Sequence, residues 1–145
     1  MQVVSLTVIC ALFYAMFEVF AGLAGGKVNQ WLAAVLYNGI GTVIPLIIYL
    51  ASTVKQGKTT IKGIIYAGLA GVAIMLFSVL LARIFNKGGN LAFVIPAIYG
   101  IAIILSSIFG WIFLKEKVSG LQVAGIALMT VGVICVIVAK LRYTA

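Results

Sequence analysis

Of the 145 residues, 65% are hydrophobic and 8% are charged, with ten basic and two acidic side chains and a formal net charge of +8. So few polar side chains cannot cover a water-facing surface, which excludes a soluble globular fold and leaves lipid as the solvent for most of the chain. The basic residues stand in ones and twos beside apolar segments, with no basic stripe or aromatic platform, so lipid headgroups rather than nucleic acid are their expected counter-ions.

A transmembrane helix needs about 20 apolar residues at 1.5 Å rise each, and runs of that kind recur between breaks rich in Gly, Lys and Asn. They predict an all-α membrane protein with five transmembrane helices over residues 3–24, 31–51, 61–85, 91–114 and 121–139, in a single domain over 1–145. The first run ends at Gly25-Gly26-Lys27. No basic n-region precedes it, and its apolar stretch is too long for a signal-peptide core, so it is expected to stay as a first span. Cys10 in this run and Cys135 in the fifth have no ligand-spaced neighbour, and both are expected to act as small core hydrophobes.

The first run also carries one of the two acidic residues, Glu18, within Ala11-Leu12-Phe13-Tyr14-Ala15-Met16-Phe17-Glu18-Val19-Phe20. It lies roughly 7 Å from the middle of the span. A charge there costs about 2.5–3.5 kcal/mol on insertion scales, so Glu18 is expected to face the bundle interior or water and to be functional. Apolar surroundings disfavour the charged form of a carboxylate, which lets one group hold either a proton or a cationic substrate. Tyr14, one turn earlier on the same face, is expected beside it. The structural alternative has Glu18 snorkelling toward the Gly25–Lys27 end or bonding a neighbouring hydroxyl.

The second span holds Tyr37 and Asn38, candidate cavity groups; Asn38 serves equally well to tie two helices together. Pro45 in this span and Pro96 in the fourth each remove a backbone donor and are expected to bend their helices. Trp31, Tyr49, Tyr66 and Trp111 fall near span ends, where aromatic anchoring at the interface is the default role. Tyr99 in the fourth span joins the cavity candidates. Glu116, between Lys115 and Lys117, is expected to be a solvated turn residue.

Five spans put the termini on opposite faces. One face then holds Lys55, Lys58, Lys62, Lys115 and Lys117, and the other Lys27, Arg83, Lys87, Lys140 and Arg142. That tie gives the positive-inside rule nothing to act on, so dual topology is expected, which is what an antiparallel homodimer requires. A chance tie in a short chain is the alternative.

The segments Tyr99-Gly100-Ile101-Ala102, Gly110-Trp111-Ile112-Phe113-Leu114-Lys115-Glu116-Lys117-Val118-Ser119 and Gly125-Ile126-Ala127-Leu128-Met129-Thr130-Val131-Gly132-Val133 resemble the drug/metabolite transporter superfamily. The resemblance is to one EamA-type repeat, clearest over residues 91–140. It implies a half-size member of the bacterial and archaeal kind, one five-helix repeat that supplies its own partner as an antiparallel ten-helix dimer in the cell membrane of a prokaryote. Gly125 and Gly132, seven residues apart, share a helix face where small side chains let backbones approach closely in lipid. The stripe is similar to one that packs the final helices across the dimer of the small multidrug resistance carriers, and by that resemblance Gly125, Leu128, Met129, Gly132 and Val133 are the expected dimer-packing face, with packing inside one subunit as the alternative.

Glu18-Val19, with Lys27 at the helix end, is similar to the Glu-Val pair in the first helix of the small multidrug resistance carriers. There the glutamate binds proton and substrate in turn. Two features depart from that pattern. Aligned on Trp111, the site-lining aromatic Tyr99 in Ile98-Tyr99-Gly100-Ile101-Ala102 is displaced by one residue, about 100° around the helix. EamA-type carriers, moreover, often lack a first-helix glutamate and move neutral or zwitterionic metabolites.

The expectation is a secondary transporter of small metabolites or drug-like cations, proton-coupled through Glu18 and working by alternating access as a homodimer, with a small-molecule substrate, lipid around it and no metal or cofactor. A non-transporting membrane subunit or lipid-binding scaffold is the rival. An enzyme is not expected, because the chain has no His, no Asp and no nucleophile with an evident base.

Overall fold

The computed structural model describes residues 2–51 and 59–144; Lys55 and Lys58 of the charge tally lie outside the described residues. Five helices follow one another: α1 (Gln2–Ala24), α2 (Gln30–Ala51), α3 (Ile61–Asn86), α4 (Leu91–Ile112) and α5 (Gly120–Thr144). All five are long and apolar enough to cross a membrane.

Helix starts are set by side chains that bond the free amides of the first turn. Asn29 Oδ1 accepts the Trp31 N–H at 2.9 Å. Thr60 Oγ1 accepts the Gly63 N–H at 3.1 Å, and Asn90 Oδ1 the Ala92 N–H at 2.9 Å. At α5 the cap is reciprocal: the Ser119 N–H donates to Gln122 Oε1 at 2.7 Å and the Gln122 N–H to Ser119 Oγ at 3.3 Å, a capping box written in the sequence as Ser-x-x-Gln.

The ends are equally local. Gly88, at φ 82, lets the Gly89 N–H reach Ile84 O at 2.9 Å while its own N–H reaches Phe85 O at 3.0 Å, which closes α3 with a Schellman motif. Helix α4 stops at Ile112, short of the expected Leu114. Lys115 takes a φ of 53, and the Glu116 N–H turns back onto Gly110 O at 3.1 Å. Helix α5, by contrast, runs beyond Ala139 to Thr144. Hydropathy marks where lipid ends, whereas Lys140, Leu141 and Arg142 are good helix formers and continue the coil. Both Pro45 and Pro96 are carried inside their helices.

The helices form two compact units, Met1–Gly89 and Asn90–Ala145. In the first, α3 packs against both α1 and α2. Its buried residues are Glu18 and Ala21 from α1, Ala33 and Ala34 from α2, and Ser78, Val79, Leu81, Ala82 and Phe85 from α3. These positions fall at the C-terminal ends of α1 and α3 and the N-terminal end of α2, so the core sits at one end of the unit. Most are small, as expected where close backbone approach replaces hydrophobic force between helices.

Two contacts pin that end. A Cβ added at Gly25 would lie 2.8 Å from Phe85 Cβ and 3.1 Å from Phe85 O, so α1 and α3 touch backbone to backbone there. One residue on, Asn86 Oδ1 accepts the Gly26 N–H at 2.7 Å and its Nδ2 donates to Val28 O at 3.0 Å, clamping the α1–α2 connection to the end of α3. Gly25→Ala is expected to destabilise the protein by about 1–3 kcal/mol, the usual cost of overpacking a close contact, read as a lower thermal midpoint in detergent.

In the second unit α4 packs along α5, burying Val94, Gly100 and Gly110. The α5 seam is Ile126, Thr130, Val133 and Ile137, all half-buried, at the three-and-four spacing of a helix face. Cys10 and Cys135 are both free and exposed, which corrects the expectation that they are core residues. In a membrane bundle the outer face is as apolar as the inner one, so an apolar setting in the sequence does not distinguish them.

Candidate functional site

Glu18 is 7% exposed, and its Oε1 is closed off from solvent with no hydrogen-bond partner among the described residues. A buried carboxyl oxygen left without a donor is costly and rare in a folded protein. Its surroundings explain the burial. On α1 it sits one turn from Ala21, which is fully enclosed, and the small buried residues Ala33 and Ala34 of α2 belong to the same unit. This geometry departs from the snorkelling alternative, since Oε1 is not carried out to the Lys27 end.

An aromatic chain adjoins it. The rings of Tyr14 and Phe17 are 6.0 Å apart, and Phe17 meets Tyr37 edge-on at 5.4 Å and 88°, joining α1 to α2 at the residue before Glu18. The structure therefore brings Tyr14, Glu18 and Tyr37 into one neighbourhood, with Phe17, which sequence reasoning passed over as one more apolar letter, as the link. Tyr14 itself is 39% exposed, on the rim rather than inside.

Asn38 lies next to Tyr37 in sequence but faces elsewhere. It lines a groove of about 490 Å³ between α2 and α3, with Trp31, Gly39, Thr42, Met75 and Val79 among the walls. Its Nδ2 donates to Ala34 O at 2.8 Å, and Thr42 Oγ1 donates to Asn38 O at 2.6 Å. Both groups thus spend a donor on their own helix. Neither contact ties α2 to another helix.

Tyr99 stands half-buried on α4 in the second unit. The five residues expected to pack a dimer divide there. Val133 lies against Gly100, whose added Cβ would come within 3.0 Å of Val133 Cβ and Cγ1, so this side chain is used inside the chain. Leu128 is 74% and Met129 43% exposed, and Gly125 and Gly132 have nothing within 4 Å of an added Cβ. Glu116 is exposed, yet its Oε2 would lie 2.7 Å from a Cβ at Gly110. Gly110 is thus the notch over which the Glu116 carboxylate folds. Trp31, Tyr49, Tyr66 and Trp111 are all more than 60% exposed.

Ser78 and Asn86 were not singled out from the sequence. Ser78 is 3% exposed, one hydroxyl among many in apolar runs, and only its place in the core distinguishes it. Asn86 reads as part of a polar break; its alignment with Gly26 across the fold is invisible in one dimension.

No curated protein and no solved structure shows a significant match to the chain. The description "EamA-like transporter family" matches residues 1–138, which takes in all of α1 to α4 and most of α5. The likeness seen in the C-terminal third therefore extends through the three N-terminal helices and the Glu18 neighbourhood. With five apolar helices and a match over nearly its whole length, this multi-pass membrane chain belongs to the EamA-like transporter family.

Proposed function

We propose that the chain is a proton-coupled secondary carrier of small metabolites or drug-like cations, working by alternating access as an antiparallel homodimer in the cell membrane of a prokaryote. The observation that carries this reading is Glu18, a buried carboxyl whose Oε1 has no partner among the described residues, in a chain that belongs to a transporter family. A buried carboxyl oxygen without a donor is ready to take one, and a proton or a cation is the partner that satisfies it. Access to each side in turn then exchanges one for the other.

The dimer supports the mechanism because a single five-helix unit has no second repeat to rock against. The even split of basic residues in the sequence, five on each side, favours insertion both ways. Tyr14, Tyr37, Asn38 and Tyr99 are the remaining candidate substrate contacts, and the exposed Leu128, Met129 and Gly132 the readiest surface for a second copy; Gly125 extends that α5 face, while Val133 packs on Gly100 within the chain.

Orientation mapping tests this directly. With a reporter at the C-terminus, a population split between the two faces of the membrane is the expected result. A C-terminus found on one face only, with no oppositely oriented copy, overturns the antiparallel arrangement.

A further inference from the structure

Helices α1 and α3 pack together, and each buries residues at the spacing of one helix face, Glu18 and Ala21 on α1, with Gly25 just past its end, and Ser78, Ala82 and Phe85 on α3. Their C-terminal ends are pinned, Gly25 against Phe85 and Gly26 to Asn86, residues 60 apart in sequence. Both helices rise equally per residue, so the same separation sets Ser78 level with Glu18. Both are buried, at 3% and 7% exposure.

The chemistry at that level is one-sided. Ser78 Oγ donates its only proton to Ile74 O at 2.8 Å, so toward its neighbours it offers lone pairs alone. An ionised carboxylate is likewise an acceptor only. Thr42 also spends its hydroxyl proton on its own helix, and Oε1 of Glu18 takes a bond from neither Tyr14 nor Tyr37.

We propose that Glu18 and Ser78 together form an acceptor-only cation site whose preferred ligand carries N–H groups, a protonated primary amine, in preference to a quaternary ammonium ion. The proposal rests on the reading of Glu18 as the exchange site and adds a second residue and a ligand class. A primary ammonium has three donors to divide between the carboxylate and the serine oxygen. A quaternary ion has none and gains only the charge of Glu18.

The test is calorimetric binding of butylammonium and of butyltrimethylammonium to the detergent-solubilised full chain at pH 7. The native protein is expected to bind butylammonium more tightly. Ser78→Ala is expected to weaken butylammonium by roughly 10-fold or more, the effect of losing a hydrogen bond to a charged group, and to leave butyltrimethylammonium nearly unchanged. Ser78→Thr, which keeps the hydroxyl, is expected to restore the preference, and Glu18→Gln to weaken both ions. Equal weakening of both by Ser78→Ala, or of neither, while Glu18→Gln still weakens both, overturns the role of Ser78 and leaves the Glu18 reading standing. Unaltered binding of both ions to Glu18→Gln overturns that underlying reading. A native chain that binds neither ion, or the quaternary one more tightly, overturns the ligand class.

Discussion

Glu18→Gln is expected to cut proton-driven uptake steeply while leaving the protein at least as stable as before. The amide keeps the shape of the buried side chain, so packing is undisturbed. It cannot ionise, so it can neither release a proton nor hold a cation by charge. An amide carries no charge into the apolar core, so the thermal midpoint is expected to rise or stay unchanged. In proteoliposomes with an imposed pH gradient, uptake of a permanently charged ion such as tetraethylammonium should fall roughly 10–100-fold, the scale of losing a charged partner. A variant that folds with a normal midpoint yet transports at the native rate would remove Glu18 from the mechanism. A variant with a sharply lowered midpoint would show instead that the carboxyl holds the helices together.

Gly100→Ala is the second large effect, and it acts on the fold. The new Cβ would press on Val133 Cγ2 and come within 3.0 Å of Val133 Cβ and Cγ1. Those atoms are held on a stiff, branched side chain. Relief therefore requires α4 and α5 to separate, at a cost of about 1–3 kcal/mol. Val133→Ala removes the two methyl groups, so the double variant should recover more than half of the loss, a coupling of the size found for residues in direct contact. Gly132→Ala serves as the control. Nothing lies within 4 Å of its added Cβ, so the midpoint should stay close to native. Equal loss from Gly100→Ala with and without Val133 would mean that the two residues do not meet.

Much of the architecture was open to inspection in one dimension. Spanning helices must bond their own backbones and be apolar over about 20 residues, so the five segments and the breaks between them stand out from composition. Glu18 was legible for the same reason, since a carboxyl deep in an apolar run has no inexpensive place to be. The helix caps were legible in principle: Asn29, Thr60, Asn90 and the Ser119–Gln122 pair each occupy the position their amide-binding chemistry demands.

The faces of the helices were less readable. On a soluble helix an apolar residue points inward, but here both sides are apolar and the pattern carries no direction. That is why Cys10 and Cys135, expected inside, are exposed, and why Val133, expected at a dimer surface, is spent on Gly100.

By its own letters, then, the chain determined that it lives in lipid, crosses it with five helices and carries one carboxyl where a charge is costly. Tertiary structure alone decided that this carboxyl is enclosed with an oxygen that has no partner among the described residues, that Ser78 is buried in the same unit, and that Asn86 locks the end of α3 to the α1–α2 turn. The reason is physical: hydropathy and local hydrogen bonding act within a few residues, whereas pairing residues 60 positions apart depends on how helices with no preferred side settle against one another.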